Sequence, residues 1–238
     1  VWATDVVTTK RREMARRFGI GWAKDNRELV VGSEIVVLAV KPQTLPQVLA
    51  EIREAVSPRT LFVSIAAGFP LRRLAGALGE KARLVRVMPN TPALVGKGMS
   101  VAVRGGGATV SDERRVLRLL RAVGDAITVA DERLLDPVTG LSGSGPAYVY
   151  LFAEALIAGG VQAGLDPAAS RRLVLQTLDG ACAMLKETPW SPRELREMVS
   201  SPGGTTLAGL GVLEQAGFFQ AVVAAVERAT ARSRELGA

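Results

Sequence analysis

Histidine is absent from the 238 residues, and cysteine occurs once, at Cys182. Without histidine the chain has no Ser-His or Cys-His pair for nucleophilic catalysis, and it lacks the most common zinc ligand. Proton transfer in an active site must therefore use a hydroxyl, a lysine, a carboxylate or water. A single cysteine allows no disulfide within the chain, which fits a reducing cytoplasm, and its apolar neighbours predict a buried side chain.

Long apolar runs and nucleic-acid motifs are also missing. No apolar stretch reaches membrane-spanning length and no secretory signal occurs, so we expect no membrane partner. The net charge of +7 would suit a polyanion. However, the arginines are scattered along helical faces, no aromatic residues alternate with them, and no nucleic-acid motif is present. We therefore expect a small anionic molecule rather than nucleic acid as the partner.

Apolar runs of strand length alternate with helical patterns through the first half of the chain. The run 34–40 is continuous, which predicts a strand covered on both faces. The three glycines 105–107 predict a flexible turn. The predicted strands are 1–4, 34–40, 61–65, 84–87 and 126–129, with a short extended piece at 20–23. Strands and helices in alternation are typical of an α/β domain with a doubly wound parallel sheet.

Four of these strands end in loops of distinctive composition. The loops are Thr4-Asp5, Lys41-Pro42, Ala66-Ala67-Gly68 and Met88-Pro89-Asn90-Thr91-Pro92. In a parallel sheet the carboxyl ends of the strands meet at one edge, and ligands bind in the crevice there. Any one loop has a purely structural explanation, but four in succession favour a cofactor crevice.

From Asp131 onward only helical periodicity remains. We therefore predict two domains, an α/β domain over residues 1–130 and a helical domain over residues 131–238. The helical half is rich in alanine, glycine and leucine, and several helix faces are apolar. Faces of this kind predict burial against a second subunit, and hence a homodimer or a higher homo-oligomer.

A stretch of small and hydroxyl residues separates two of the predicted helices, Ser200-Ser201-Pro202-Gly203-Gly204-Thr205-Thr206. A capping box at Ser191 and Glu194 begins the helix before it. Leucines at helical spacing follow it. Free backbone N–H groups, hydroxyls and the positive end of a helix dipole suit a small carboxylate. An ordinary helix–helix turn is the alternative explanation of the same residues.

Four motifs in this order resemble the pyrroline-5-carboxylate reductase family. They are Ala39-Val40-Lys41-Pro42, Met88-Pro89-Asn90-Thr91-Pro92, Leu141-Ser142-Gly143-Ser144-Gly145-Pro146-Ala147-Tyr148 and Ser200-Ser201-Pro202-Gly203-Gly204-Thr205-Thr206. The resemblance covers essentially the whole chain and implies a Rossmann-like sheet followed by an all-α dimerisation domain. It also implies a cytoplasmic enzyme of proline biosynthesis that reduces 1-pyrroline-5-carboxylate to L-proline with NADPH or NADH. In this family, dimers build larger rings whose active sites are shared between subunits.

The resemblance also implies roles for individual residues. Ser201 and the N–H groups of Gly204 and Thr205 would bind the substrate carboxylate, and the Thr206 hydroxyl would hydrogen-bond the ring nitrogen and relay its proton. An iminium carbon is already electrophilic, so positioning is the main requirement, which suits a site without histidine. The residues implied at the cofactor are Thr4, Asn26, Ala39, Val40, Lys41, Pro42, Ile65, Ala66, Ala67 and Asn90. A solvated loop lysine is an equal explanation of Lys41.

The choice between the two cofactors is open at this point. Asp5 at a strand end favours a ribose hydroxyl and therefore NADH. Lys10, Arg11 and Arg12 follow closely and would suit the extra phosphate of NADPH. The resemblance itself favours NADPH.

The sequence departs from the family in its glycine-rich phosphate turn. The pattern Gly-x-Gly-x-x-Gly should lie before Val1 and does not occur in the sequence. We expect the missing first strand, turn and helix to amount to about 25 to 30 residues, the scale of one βαβ unit. If these 238 residues were the whole protein, we would expect its dinucleotide affinity to fall severely. A smaller departure is Met198, where relatives often carry a polar residue near the substrate.

Two other functions remain open from the sequence. A β-hydroxyacid or broader imine reductase of the same plan would need a catalytic lysine or aspartate on the long central helix, where residues 140–158 offer only Glu154. The second alternative is a non-catalytic truncated paralogue, which would assemble through its helical domain. The intact motif at residues 201–206 favours an enzyme over this second alternative.

Overall fold

The computed structural model describes residues 1–237, which form two compact units. The first unit comprises residues 1–143 together with residues 229–237, and the second comprises Ser144–Arg228. The sequence analysis placed a domain boundary near residue 130, at the end of the last strand. The compact units therefore divide later than that boundary, and the C-terminal residues group with the first unit because they pack against it.

The first unit contains all of the strands. They are β1 (Trp2–Ala3), β2 (Gly21–Trp22), β3 (Ile35–Leu38), β4 (Leu61–Ser64), β5 (Arg83–Met88), β6 (Gly98–Gly106) and β7 (Gly124–Thr128). The helices that connect them are α1 (Thr8–Phe18), α2 (Asn26–Val31), α3 (Leu45–Ile52), α4 (Leu71–Leu78), α5 (Val110–Leu120) and α6 (Leu135–Val138). A π-helical turn, Thr139–Gly143, follows α6 directly.

The strands form a two-stranded parallel sheet, β1-β2, and a five-stranded sheet in the order β3-β4-β5-β6-β7. β3, β4 and β5 are parallel, as are β6 and β7, whereas β5 and β6 are antiparallel. The prediction of a wholly parallel sheet missed β6. The short 3₁₀ turn Thr91–Val95 reverses the chain after β5, so Gly105 and Gly106 pair with Leu84 and Arg83 instead of forming a flexible turn.

The five-stranded sheet is covered by helices on both faces. One core cluster joins Leu45, Leu49 and Ile52 of α3 to Phe62 of β4 and Leu74 of α4, and all five side chains are buried. A second cluster on the other face contains Leu61, Val63, Val85, Val87 and Val116. These clusters hold the carboxyl ends of β3, β4 and β5 in fixed positions at one edge, which is where the predicted site residues lie.

Two burial predictions were wrong. β3 is not covered on both faces, because Val37 is 53% exposed between buried Val36 and Leu38. Cys182 is exposed rather than buried, because the face of its helix that carries it has nothing packed on it in a single chain. Apolar neighbours in sequence do not decide which face of an element is covered.

The second unit is entirely helical. Its helices are α7 (Gly145–Gln162), α8 (Pro167–Glu187), α9 (Pro192–Met198), α10 (Thr205–Gln215) and most of α11 (Phe218–Gly237). The predicted capping box is confirmed, because Ser191 Oγ accepts from the Glu194 N–H and Glu194 Oε2 accepts from the Ser191 N–H. Within residues 1–237, no single helix has both the length and the apolar character for a membrane span, although the pair α10 and α11, bent by 49°, passes jointly by length and composition.

A buried ion pair supports the first unit and gives a pH-dependent contribution to stability. Asp112 caps the start of α5 and forms a bidentate pair with Arg83 of β5. These hydrogen bonds, chiefly the one from Arg83, lower the pKa of Asp112 to about 2. A carboxyl whose pKa is lowered by folding adds stability above its unfolded pKa and loses it as the pH falls.

Asp112→Asn is therefore expected to lower the free energy of unfolding by about 2 kcal/mol at neutral pH. The difference from the wild type should shrink as the pH falls from about 4 toward 2, because the wild-type carboxyl then becomes protonated. Urea unfolding at several pH values measures it. Glu113→Gln on the same helix, whose partner Arg104 is more exposed, is the control and should cost less than about 1 kcal/mol. A difference that is independent of pH would contradict the assignment.

Candidate functional site

The ends of β3 and β4 lie side by side at the carboxyl edge of the sheet. Leu38 pairs with Ser64, and the Ile65 N–H donates to the Leu38 carbonyl at 3.2 Å. Small side chains follow both strands, Ala39 after β3 and Ala66 and Ala67 after β4. Ala39 and Ala67 are exposed, and Ala66 is buried. An edge with small side chains lets a ligand approach the backbone closely. Of the other predicted cofactor residues here, Lys41 is exposed, and Val40, Pro42 and Ile65 are half-buried.

Thr4 and Asn26, predicted separately, are brought together at the end of β1. The Asn26 Nδ2 amide group donates to Glu51 Oε2 of α3 at 2.7 Å, which turns Asn26 Oδ1 toward Thr4. Thr4 Oγ1 lies 2.6 Å from that oxygen and must be the donor. The hydroxyl of Thr4 has only one proton, so its oxygen is left as an acceptor. Sequence reasoning missed Glu51, because nothing in the pattern of α3 distinguishes it.

Asp5 follows Thr4 at the same strand end. Its Oδ1 accepts from the Val7 N–H at 2.7 Å, which fixes the carboxylate at the start of α1. The Nε of Arg11 donates to the Asp5 carbonyl, and the guanidinium carbon of Arg11 lies 5.9 Å from the centroid of the Trp22 ring. The side chain of Arg11 is therefore committed to the backbone and the aromatic ring at this place, while Asp5 stays partly accessible.

Asn90, at the end of β5, connects three segments of the first unit. Its Oδ1 accepts from the Met99 N–H at 2.8 Å, and its Nδ2 group donates to the carbonyl and hydroxyl oxygens of Ser142 at 3.2 and 3.3 Å. Ser142 belongs to the π-helical turn, a conformation that is frequent at functional sites. The side-chain amide of Asn90 is thus occupied by protein partners. Sequence analysis had singled out the motif that contains Ser142 but not this contact.

The loop 199–204 connects α9 and α10 in the second unit. Gly203 has φ +70°, in the left-handed region, and Gly204 is the N-cap of α10. The Gly204 N–H donates to the Ser201 carbonyl at 3.0 Å, which closes the turn. A β-carbon at Gly204 would lie 2.5 Å from Ser201 Oγ, so this position needs glycine for the Ser201 hydroxyl to lie where it does.

Donor groups at this loop remain free. The N–H groups of Thr205, Thr206 and Leu207 are in the first turn of α10, where a helix offers no intrahelical acceptor, and no side chain caps them. Within residues 1–237 the hydroxyls of Ser201 and Thr206 make no hydrogen bond. Ser201 and Thr205 are exposed, and Gly204 and Thr206 are half-buried. Free donors at a helix N-terminus form a suitable binding place for an anion.

The loop carries no ionisable side chain between Ser200 and Thr206. The carboxyl with a shifted pKa that lies nearest in sequence is Glu194, whose pKa is lowered by the hydrogen bonds it accepts from the side chain and backbone of Ser191. That shift belongs to the cap of α9, not to a proton-transfer group. Chemistry at this loop must therefore depend on hydroxyls, N–H groups and water.

The predicted site residues thus fall into two parts. The strand-end residues lie in the first unit, and residues 201–206 lie in the second. Among residues 1–237, no group of three or more cysteine, aspartate or glutamate side chains is arranged to hold a metal ion.

Comparisons with known proteins match both parts. A family described as pyrroline-5-carboxylate reductase dimerisation matches residues 132–236, and one described as NADP oxidoreductase, coenzyme F420-dependent, matches residues 1–68. The pyrroline-5-carboxylate reductase of Methanosarcina acetivorans is 44% identical, over 100% of this chain and 87% of the relative.

Solved structures of two such reductases are similar throughout. That from Coxiella burnetii has a TM-score of 0.92 at 33% identity, over 100% of this chain and 88% of its own. That from Plasmodium falciparum, with NADP bound, has a TM-score of 0.88 at 34% identity, over 100% of this chain and 86% of its own. The predicted fold class, a doubly wound α/β sheet followed by an all-α dimerisation region, is confirmed apart from the antiparallel β6.

Proposed function

Because the chain belongs to the pyrroline-5-carboxylate reductase family, we propose that it reduces 1-pyrroline-5-carboxylate to L-proline with a reduced nicotinamide dinucleotide. The observation that carries this proposal is the loop before α10. It combines free N–H groups, two unpaired hydroxyls and no ionisable side chain within residues 200–206. This donor set fits a small substrate that carries a carboxylate and brings its own electrophilic carbon.

We assign the residues of this loop as follows. The Ser201 hydroxyl and the Thr205 N–H bind the carboxylate, where the positive end of the α10 dipole also favours negative charge. The Gly204 N–H, which the sequence analysis also placed at the carboxylate, donates to the Ser201 carbonyl at 3.0 Å and closes the turn instead. The Thr206 hydroxyl hydrogen-bonds the ring nitrogen. Reduction adds a hydride and its two electrons to the carbon of the C=N bond and a proton to the nitrogen. Thr206 holds and relays that proton, which water replaces because the loop is accessible.

The carboxyl edge of the first unit fits a dinucleotide. Small residues after β3 and β4 allow close approach to the backbone, and the parallel strands β3, β4 and β5 all end there. We propose that Ala39, Val40, Lys41, Pro42, Ile65, Ala66 and Ala67 contact the dinucleotide, with Thr4 at the adenosine ribose. When bound, NADPH or NADH supplies the hydride. Asn26 and Asn90, whose amides are held by protein partners, support these contacts by orienting Thr4 and the π-helical turn.

The helical unit supports a homo-oligomer. All buried hydrophobic residues of the described chain lie at or before Leu135, and between Ser144 and Arg228 only Ser170 is buried. Large apolar side chains of this unit, including Tyr150, Leu151 and Phe219, are instead more than 60% exposed. Helices with so much uncovered apolar surface need a partner to form a core. We propose a cytoplasmic homodimer or higher oligomer whose active sites are shared between subunits.

The test is a direct assay of the purified protein. Mixed with 1-pyrroline-5-carboxylate and NADPH or NADH, it is expected to consume the reduced cofactor, measured by absorbance, and to form an equal amount of L-proline, measured by mass spectrometry. 1-Pyrroline, which lacks the carboxylate, is the matched control. It should react about 10²-fold more slowly in kcat/KM, because the charged hydrogen bonds at the loop are lost.

Two results would count against the proposal. Absence of proline formation with both cofactors would overturn the reductase function and favour a non-catalytic interaction protein. Equal kcat/KM for 1-pyrroline would leave the reductase function standing but contradict the carboxylate role of Ser201 and Thr205.

A further inference from the structure

The side chains of Thr4 and Asp5, at the end of β1, present hydrogen-bond acceptors rather than donors. The only proton of the Thr4 hydroxyl is donated to Asn26, whose orientation is fixed in turn by Glu51. Asp5 has one carboxylate oxygen on the Val7 N–H, and within residues 1–237 its second oxygen accepts no hydrogen bond. Both side chains are only partly buried and so accessible to a ligand. A ligand group that binds to these two side chains must therefore supply the protons.

We infer that Asp5, together with the acceptor oxygen of Thr4, selects NADH over NADPH. This inference rests on the proposed function, which places the adenosine ribose of the dinucleotide at the end of β1. A ribose with free 2′ and 3′ hydroxyls donates two protons to these acceptors. A 2′-phosphate, whose second pKa is about 6, has no proton to donate at neutral pH and repels the Asp5 carboxylate.

The basic residues of α1 would favour the 2′-phosphate of NADPH, but they are less well placed to bind it than Asp5 is to bind a ribose hydroxyl. Arg11 is occupied by the Asp5 carbonyl and the Trp22 ring. Lys10 and Arg12 are exposed, so holding a phosphate would cost them side-chain entropy in a highly solvated place. Asp5, in contrast, is fixed one residue after Thr4 by its bond to Val7. The preorganised acceptor therefore outweighs the exposed cations.

The experiment measures binding in the absence of substrate. Titration of the wild-type protein, followed by the fluorescence of the reduced nicotinamide, is expected to give a Kd for NADH about tenfold or more below that for NADPH. Asp5→Asn keeps the oxygen that accepts from Val7 and removes the charge, so it should bring the two Kd values within about threefold of each other. In competition, 5′-AMP should bind the wild type more tightly than adenosine 2′,5′-bisphosphate does, and the two should bind Asp5→Asn about equally, independently of the nicotinamide.

Glu13→Gln is the matched control, since it removes the same charge from an exposed position further along α1. It should leave the ratio of the two Kd values unchanged. If Asp5→Asn melts at a lower temperature than the wild type, Asp5→Ser is used in its place, because serine also keeps an oxygen that can accept from the Val7 N–H. Tighter binding of NADPH than of NADH by the wild type, or an unchanged ratio in both Asp5 variants, would overturn the inference alone. Binding of neither dinucleotide would overturn the proposed function with it.

Discussion

Thr206→Ala is expected to lower kcat for reduction of 1-pyrroline-5-carboxylate by about 10² to 10³. Loss of one positioned hydrogen-bond donor in an active site commonly has this effect. The Thr206 hydroxyl makes no hydrogen bond to the rest of residues 1–237, so its removal leaves no protein partner unsatisfied. The backbone N–H of Thr206, in the first turn of α10, is retained by alanine. Steady-state kinetics at saturating cofactor measures the change.

The size and the kind of the effect distinguish a proton relay from simple binding. Thr206→Ser keeps the hydroxyl and should recover most of the lost kcat. The control is Thr188→Ala, which removes a threonine hydroxyl from the end of α8, where it donates to the Met184 carbonyl and lies outside the loop. It should leave kcat within about twofold of the wild type. A Thr206→Ala variant with wild-type kcat and KM would remove Thr206 from the mechanism.

Glu132→Ala is expected to lower the free energy of unfolding by about 3 kcal/mol, the typical cost of breaking a buried ion pair. Oε1 of Glu132 accepts from the Arg86 guanidinium and from the Leu71 N–H, each at 2.7 Å. The side chain of Arg86, on β5, is only 9% exposed. The variant would leave a buried cation without its partner and an uncapped N–H at the start of α4.

Chemical unfolding at one fixed protein concentration measures this loss, since the stability of an oligomer depends on concentration. Glu132→Gln keeps an acceptor oxygen for Leu71 and should lose less than alanine does. Glu34→Gln is the surface control, because Glu34 bonds to Arg115 at 2.8 Å with its own side chain 82% exposed, and it should cost less than about 1 kcal/mol. Equal losses in Glu132→Ala and Glu34→Gln would show that burial of the Arg86 pair adds nothing.

Much of the fold could be predicted because its signals are local. The capping box of Ser191 and Glu194, the left-handed Gly19 after α1 and the Asp166 cap of α8 each depend on residues within a few positions of one another. The strand β6 escaped prediction because its signal is not local. Its residues 98–106 form a strand by pairing with β5, after a chain reversal that the sequence pattern does not specify.

The candidate site also has features that the sequence predicts and features that only the structure shows. The chemical character of residues 200–206, with hydroxyls and glycines and no ionisable group, is visible in the sequence. The partners of the strand-end residues are not, because they come from distant positions. Asn26 meets Glu51, and Asn90 meets Ser142, only when the helices pack on the sheet. Both asparagines were predicted as cofactor residues, and the structure adds a positioning role through these partners.

By itself, therefore, the sequence determined the kind of chemistry available to this protein, through the absence of histidine and the local composition of its loops. Only the tertiary structure decided the direction of each hydrogen bond and the exposure of each face. The Thr4 hydroxyl donates its only proton to Asn26, and its oxygen is left as an acceptor for a ligand, because a glutamate on α3 orients Asn26. Val37 and Cys182 became exposed because no other element covers them in one chain. Hydrogen bonds and burial depend on partners that lie far apart in sequence, so composition and periodicity do not specify them.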